Sequence, residues 1–176
     1  MTFTRKVLLS TLGLSLGFAA TQALAKSNVV SPVTSNFDVK IEIVASCEIG
    51  TGTPQELNFG THDMFKENVL GSTELSVRCT KGSEYKIALN AGAHAEGGDY
   101  TKRRMKGVSD LNSNDYVSYN LYTDEGRSRV WGNVETSMVS KTGTGEEEKI
   151  KIYGQVPSTN FTVGNYKDTI TATVTF

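Results

Sequence analysis

Apolar and polar residues alternate with period two along most of this chain. The clearest case closes it. Tyr166, Ile170, Ala172, Val174 and Phe176 fall on one face of an extended segment, and Lys167, Thr169, Thr171, Thr173 and Thr175 on the other. That pattern predicts a half-buried β-strand. The same alternation recurs at Phe37, Val39, Ile41 and Ile43; at Leu75, Val77 and Cys79; at Tyr85, Ile87 and Leu89; at Val117, Tyr119 and Leu121; and at Ile150, Ile152 and Val156. Shorter runs are Leu57-Asn58-Phe59 and Val130-Trp131. Turn residues separate them at Gly50-Thr51-Gly52, Lys81-Gly82-Ser83, Gly97-Gly98-Asp99, Asp124-Glu125-Gly126 and Gly143-Thr144-Gly145. No helical period is sustained after residue 25, so the expected fold is all-β, a sandwich or barrel.

The two ends of the pattern do not balance. Val29, Val33, Phe37, Val39, Ile41 and Ile43 all sit at odd positions, with the small Ser31 and Ser35 between them. This segment of about fifteen residues is longer than an ordinary strand of about five or six. The final strand stops at Phe176, and a long terminal strand needs a partner or protection on both edges. The chain thus carries surplus strand-like sequence at one end, and a missing partner strand is expected at the other.

Residues 1–25 read as an export signal. Arg5 and Lys6 precede an apolar run over 7–20, and Ala23-Leu24-Ala25 supplies the cleavage pattern, which makes Lys26 the first mature residue. The run is short for a bilayer span of roughly 20 residues, so the mature protein is not expected to be an integral membrane protein. Of 18 Lys+Arg and 19 Asp+Glu, cleavage removes Arg5 and Lys6 and no acid, leaving 16 against 19 and a net charge of −3. That balance gives no electrostatic case for nucleic acid. The mature length suits one domain with its own core.

Cys47 and Cys79 are the two cysteines. An exported chain meets an oxidising compartment, no C-x-x-C is present, and His62 and His94 stand apart, so a disulfide is expected rather than a metal site. Cys47 continues the phase of residues 37–43 and Cys79 that of Leu75 and Val77, so both sulfurs should face the core.

Other candidate chemistry is thin. His62-Asp63 are adjacent in sequence, which supplies no catalytic geometry, and there is no G-x-S-x-G. No catalytic, cofactor-binding or metal-ligating residue is assigned, and the chain is read as not an enzyme. The basic cluster Lys102-Arg103-Arg104 with Lys106 is expected to be a solvated loop or strand edge. Trp131 and the tyrosines at 116, 119, 122 and 153 are expected to pack in the core and between strands.

The ordered set of short motifs resembles the spore coat protein U family, the pilin subunits of archaic chaperone–usher fimbriae. The matching stretches are Asp38-Val39-Lys40-Ile41 ahead of Cys47, Leu57-Asn58-Phe59-Gly60, Leu75-Ser76-Val77-Arg78-Cys79, Arg104-Met105 and Tyr119-Asn120-Leu121-Tyr122-Thr123-Asp124. They continue with Arg127, Val130-Trp131-Gly132, Thr142-Gly143-Thr144-Gly145, Ile152-Tyr153-Gly154-Gln155-Val156-Pro157 and Gly164-Asn165-Tyr166-Lys167-Asp168-Thr169-Ile170-Thr171. Departures at Asn133-Val134, Glu146-Glu147-Glu148 and Pro157-Ser158-Thr159 are expected in loops.

The resemblance implies an incomplete immunoglobulin-like β-sandwich that lacks its last, G, strand. It implies a structural subunit of a surface pilus that supports adhesion and biofilm formation. A periplasmic chaperone would lend a strand, an outer-membrane usher would direct its exchange, and other pilin subunits would join head to tail at the surface of a Gram-negative bacterium. On this reading residues 26–36, or as far as about residue 43, form the donor strand, with Val29, Val33, Phe37, Val39, Ile41 and Ile43 as its inward face. Residues 37–176 form the domain, and Tyr166, Ile170, Ala172, Val174 and Phe176 line the acceptor groove. The alternative is a self-complete secreted binding or coat protein that does not polymerise.

Overall fold

The computed structural model describes residues 31–50 and 56–176. The export signal expected over 1–25, and Val29 of the expected donor face, lie outside the described residues. The chain divides into two units, residues 1–41 and 42–176. In the first, residues 31–41 form no strand and are exposed, with an ion pair of 3.4 Å between Lys40 and Asp38. The strand expected over 37–43 is therefore not formed. Period-two alternation reports which side chains can share a face. A strand also needs a neighbouring backbone to bond.

The second unit is an antiparallel β-sandwich. Its strands are β1 (Cys47–Ile49), β2 (Glu67–Cys79), β3 (Glu84–Leu89), β4 (Arg104–Gly107), β5 (Tyr116–Ser118), β6 (Asn120–Tyr122), β7 (Val139–Thr142), β8 (Glu147–Ser158), β9 (Tyr166–Lys167) and β10 (Ala172–Thr175). One sheet has the order β1-β2-β8-β6, a second β10-β3-β7 and a third, smaller one β5-β4-β9. The interior is filled by the residues that alternation picks out: Leu75, Val77 and Cys79 of β2, Tyr85, Ile87 and Leu89 of β3, and Ile150, Ile152 and Val156 of β8. Trp131, fully buried, lies among them, and its indole N–H donates to the Ile87 carbonyl at 2.9 Å. Trp131→Phe keeps most of the apolar area but removes the indole N–H bond, a net loss of about 0.5–1.5 kcal/mol. Urea unfolding of the subunit in its chaperone-bound form should show a lowered midpoint at unchanged slope.

The two largest sheets are joined by neighbouring crossings. The β2–β3 turn and the β7–β8 turn bond to each other: Gly82 N donates to Gly143 O (2.8 Å), Gly143 N to Ser83 O (2.8 Å) and Gly145 N to Cys79 O (3.0 Å). These crossings set β2 opposite β3 and β8 opposite β7. Since β1 flanks β2 and β10 flanks β3, β1 and β10 lie along the same side of the sandwich. Tyr85 Oη also spans the sheets, donating to Glu148 at 2.9 Å, while Lys141 bonds the other carboxylate oxygen at 3.1 Å. Burial, with Glu148 beside it, pushes the Tyr85 phenol up to about 12. The Lys141 and Tyr85 bonds hold the Glu148 carboxyl below its ordinary value.

Three expectations are corrected here. Leu57-Asn58-Phe59 is not a strand. It lies across β2 and β8 where Gly71 and Gly154 face each other in the ladder. A Cβ at Gly71 would stand 2.9 Å from Leu57 Cδ2, and one at Gly154 2.8 Å from Phe59 Cζ. The two glycines make the trough that holds these side chains. Glu147, Glu148, Pro157 and Ser158, expected in loops, belong to β8. That strand outruns its apolar alternation because β2 pairs with it almost throughout. The ladder skips Asn68 and Pro157, the residue without an N–H to give. Finally, Arg103 is not a solvated cation: its side chain is fully buried. It donates to the carbonyls of Leu89, Asn90 and Trp131 at 2.6–3.2 Å, which a planar guanidinium can reach together.

Candidate assembly surface

The final segment of the chain serves two sheets. Tyr166 and Lys167 pair with Gly107 and Lys106 of β4. Residues 172–175 pair with β3, in the register Ala172↔Leu89 and Val174↔Ile87. Among the described residues β10 has no strand on its other side. Its inward residues Ala172 and Val174, with Ile170 before them, pack on the core yet remain half-buried. Tyr166 is half-buried as well, and Phe176 is 58% exposed. Of the final-strand residues read from sequence, four therefore share the core-facing side, and Phe176 stands at its exposed end. Among the described residues the edge joins a side of β10 that no strand pairs with to incompletely covered apolar side chains, which is the chemistry that accepts an added strand.

Across the sandwich from this edge, Cys47 of β1 is bonded to Cys79 of β2, S–S 2.05 Å. The two residues are directly opposite in the ladder, with Cα atoms 4.1 Å apart. The expected disulfide is present and joins adjacent strands of one sheet. Ser46 N and Thr80 N close the end of this pairing through Thr80 Oγ1 and Ser46 O.

Between β9 and β10 the chain crosses from one sheet to another, and the crossing holds a residue that sequence reading passed over. Asp168 shares the phase of Tyr166 and Ile170, and its side chain is 2% exposed. Its carboxylate accepts from Tyr119 Oη (2.6 Å), Ala93 N (2.9 Å) and His94 Nδ1 (3.0 Å). Burial, with the bond to Asp168, pushes the Tyr119 phenol strongly upward. Burial also lowers the affinity of Arg103 for its proton, opposed by the nearby Tyr119 and Asp168. The signal available in the sequence was a carboxylate at an inward position of an otherwise apolar strand.

Residues 33–173 match the Spore Coat Protein U domain. The chain belongs to this family. The Spore Coat Protein U domain here takes in the exposed alternating segment from Val33, both cysteines, the Asp168 crossing and β10 as far as Thr173. Protein U of Myxococcus xanthus is 34% identical over 171 residues, covering 90% of this chain and 96% of that protein. The fold is similar to a chain in the CsuC–CsuE chaperone–tip adhesion subunit pre-assembly complex from the archaic chaperone–usher Csu pili of Acinetobacter baumannii. There the TM-score is 0.53 at 23% identity, over 76% of this chain and 40% of that one. The Spore Coat Protein U domain of this chain is thus an all-β, immunoglobulin-like sandwich, whose final strand has a neighbour on one side only among the described residues.

The remaining sequence candidates scatter over the domain. His62 Nε2 lies 2.6 Å from the Phe59 carbonyl while Asp63 accepts from Phe65 N, so the pair shares no site. Lys102 is exposed, and Arg104 lies 4.7 Å above the Tyr116 ring and donates to His94 O. Tyr122 and Tyr153 are cross-strand neighbours. Among the described residues no group of three or more His, Cys, Asp or Glu could hold a metal ion, and no helix is long and apolar enough to cross a membrane.

Proposed function

We propose that this chain is a structural subunit of a surface pilus, assembled through the chaperone–usher pathway by strand donation. The observation that carries the reading is the free edge of β10, with Ile170, Ala172 and Val174 packed on the core but half-covered. An extended peptide added there would bond the free backbone groups and cover those side chains. The fit in composition comes from the exposed segment with Val33, Phe37, Val39, Ile41 and Ile43 on one face. After removal of residues 1–25, a periplasmic chaperone fills the edge first. At an outer-membrane usher the segment over 26–36, or to about 43, of the next subunit replaces it. Head-to-tail contacts of this kind do not close on themselves and build a fibre, on the surface of a Gram-negative cell, where it supports adhesion and biofilm formation.

The test is expression of the mature chain with and without a chaperone of this pathway, followed by electrophoresis without boiling. The expected result is soluble subunit only with the chaperone, and a heat-resistant ladder of multimers once the chaperone is displaced. A stable, soluble monomer that forms no ladder would overturn the reading in favour of a self-complete secreted binding or coat protein.

A further inference from the structure

We propose that Asp168 is the positioning residue of the acceptor edge: it fixes the sheet-to-sheet crossing so that β10 is held extended before any donor strand arrives. The inference rests on the strand-donation reading and adds to it a part of the domain that makes the edge ready. An edge strand bonded on one side only, with half-covered side chains, is poorly held by its own pairing. Here the hold comes from the residues just ahead of it. The Asp168 carboxylate takes three donors from two separate parts of the chain, Ala93 and His94 after β3 and Tyr119 between β5 and β6. Thr171 N donates to Asn90 Oδ1 (2.9 Å), and Asn90 N donates to Thr171 O (3.0 Å).

The other side of the crossing is equally prepared. Asn90 O is one of the carbonyls gripped by the buried Arg103 guanidinium, so the loop that receives Asp168 is itself anchored. Gly92 has φ +88, and a Cβ there would collide with the Asp168 carboxylate. The backbone therefore comes close enough to enclose the carboxylate only because residue 92 is glycine. A carboxylate buried in this way is costly unless its bonds are made. It therefore has a single favourable placement, and residues 169–171 lead from it directly into β10. The crossing transmits that placement to the free edge.

The experiment uses the subunit purified as its chaperone complex and, as incoming donor, a synthetic peptide of residues 27–43. Wild-type peptide uptake is measured first. No uptake at any concentration would overturn strand donation itself, and the positioning role with it. Given wild-type uptake, Asp168→Asn is expected to slow it by about tenfold or more, the loss expected of a charge-assisted hydrogen bond. Tyr119→Phe, which removes one donor, should slow it less. Hydrogen exchange should show faster amide exchange confined to residues 169–175, with β2 and β8 protected as in wild type. Uptake at the wild-type rate by both variants would overturn the proposal. So would protection lost evenly from β2, β8 and β10, the mark of plain destabilisation. If Asp168→Asn yields no folded complex, Tyr119→Phe decides by the same two readouts.

Discussion

Subunits carrying Val39→Asp should fold in the presence of chaperone and fail to propagate a fibre. Val33, Phe37, Val39, Ile41 and Ile43 are 76–90% exposed, an unusual run of bare aliphatic and aromatic surface for one segment. Burying each such side chain contributes roughly 1.5–3 kcal/mol, so four or five seated in one groove would hold neighbouring subunits for long times. A carboxylate at the centre of that face would lie unpaired in an apolar groove, at a cost of several kcal/mol. Each 1.4 kcal/mol is tenfold in affinity, so donation should fall by a factor of about a hundred or more. The variant's own β10 edge and core are untouched, so its chaperone complex should form at wild-type yield. Deleting residues 27–36 should likewise leave the domain folded and stop assembly. Fibres formed normally by both variants, seen by electron microscopy and by multimers resistant to heat, would remove the donor role from this segment.

Cys47→Ser should lower the stability of the domain by about 2–5 kcal/mol and reduce soluble yield. The bridge spans a sequence separation of 32, and closing a loop of that length in the unfolded chain accounts for about 3.7 kcal/mol in the chain-entropy treatment. The loss should show locally too. β1 is three residues long and, among the described residues, pairs only with β2, so without the bond it should fray on the same side of the sandwich as β10. Thiol labelling of the denatured, unreduced wild type should find no free cysteine. Chemical denaturation then compares the variant with wild type, and an unchanged midpoint would sink the estimate.

The central strands were legible because each has neighbours within the chain. β2, β3 and β8 follow the alternation at Leu75–Cys79, Tyr85–Leu89 and Ile150–Val156 closely. The same rule misread residues 37–43, where the pattern is as clean but no strand pairs with the backbone among the described residues. Alternation encodes a face, and only the rest of the fold supplies the bonds. It also missed what polar residues do at inward positions. Arg103 reads as one of three consecutive cations, yet its carbonyl partners come from residues 89, 90 and 131. Asp168 reads as a gap in an apolar strand, yet its donors sit at 93, 94 and 119. Such sites are set by long-range closure of the sandwich, which local pattern does not contain. Gly71 and Gly154 were invisible for the same reason, since the trough they form exists only once β2 and β8 are in register.

The position of the disulfide has a mechanical consequence. A pull on the segment ahead of residue 47 meets the bond to Cys79 at the start of β1, and the load passes covalently into the end of β2. From there it runs along the ladder that joins β2 to β8, from Arg78↔Glu147 to Val69↔Val156. That ladder is far longer than the three-residue pairing of β1, so the load is shared among more backbone bonds than an unbridged β1 could offer. The covalent bond thus routes tension past a three-residue strand and into the longest strand of the sheet.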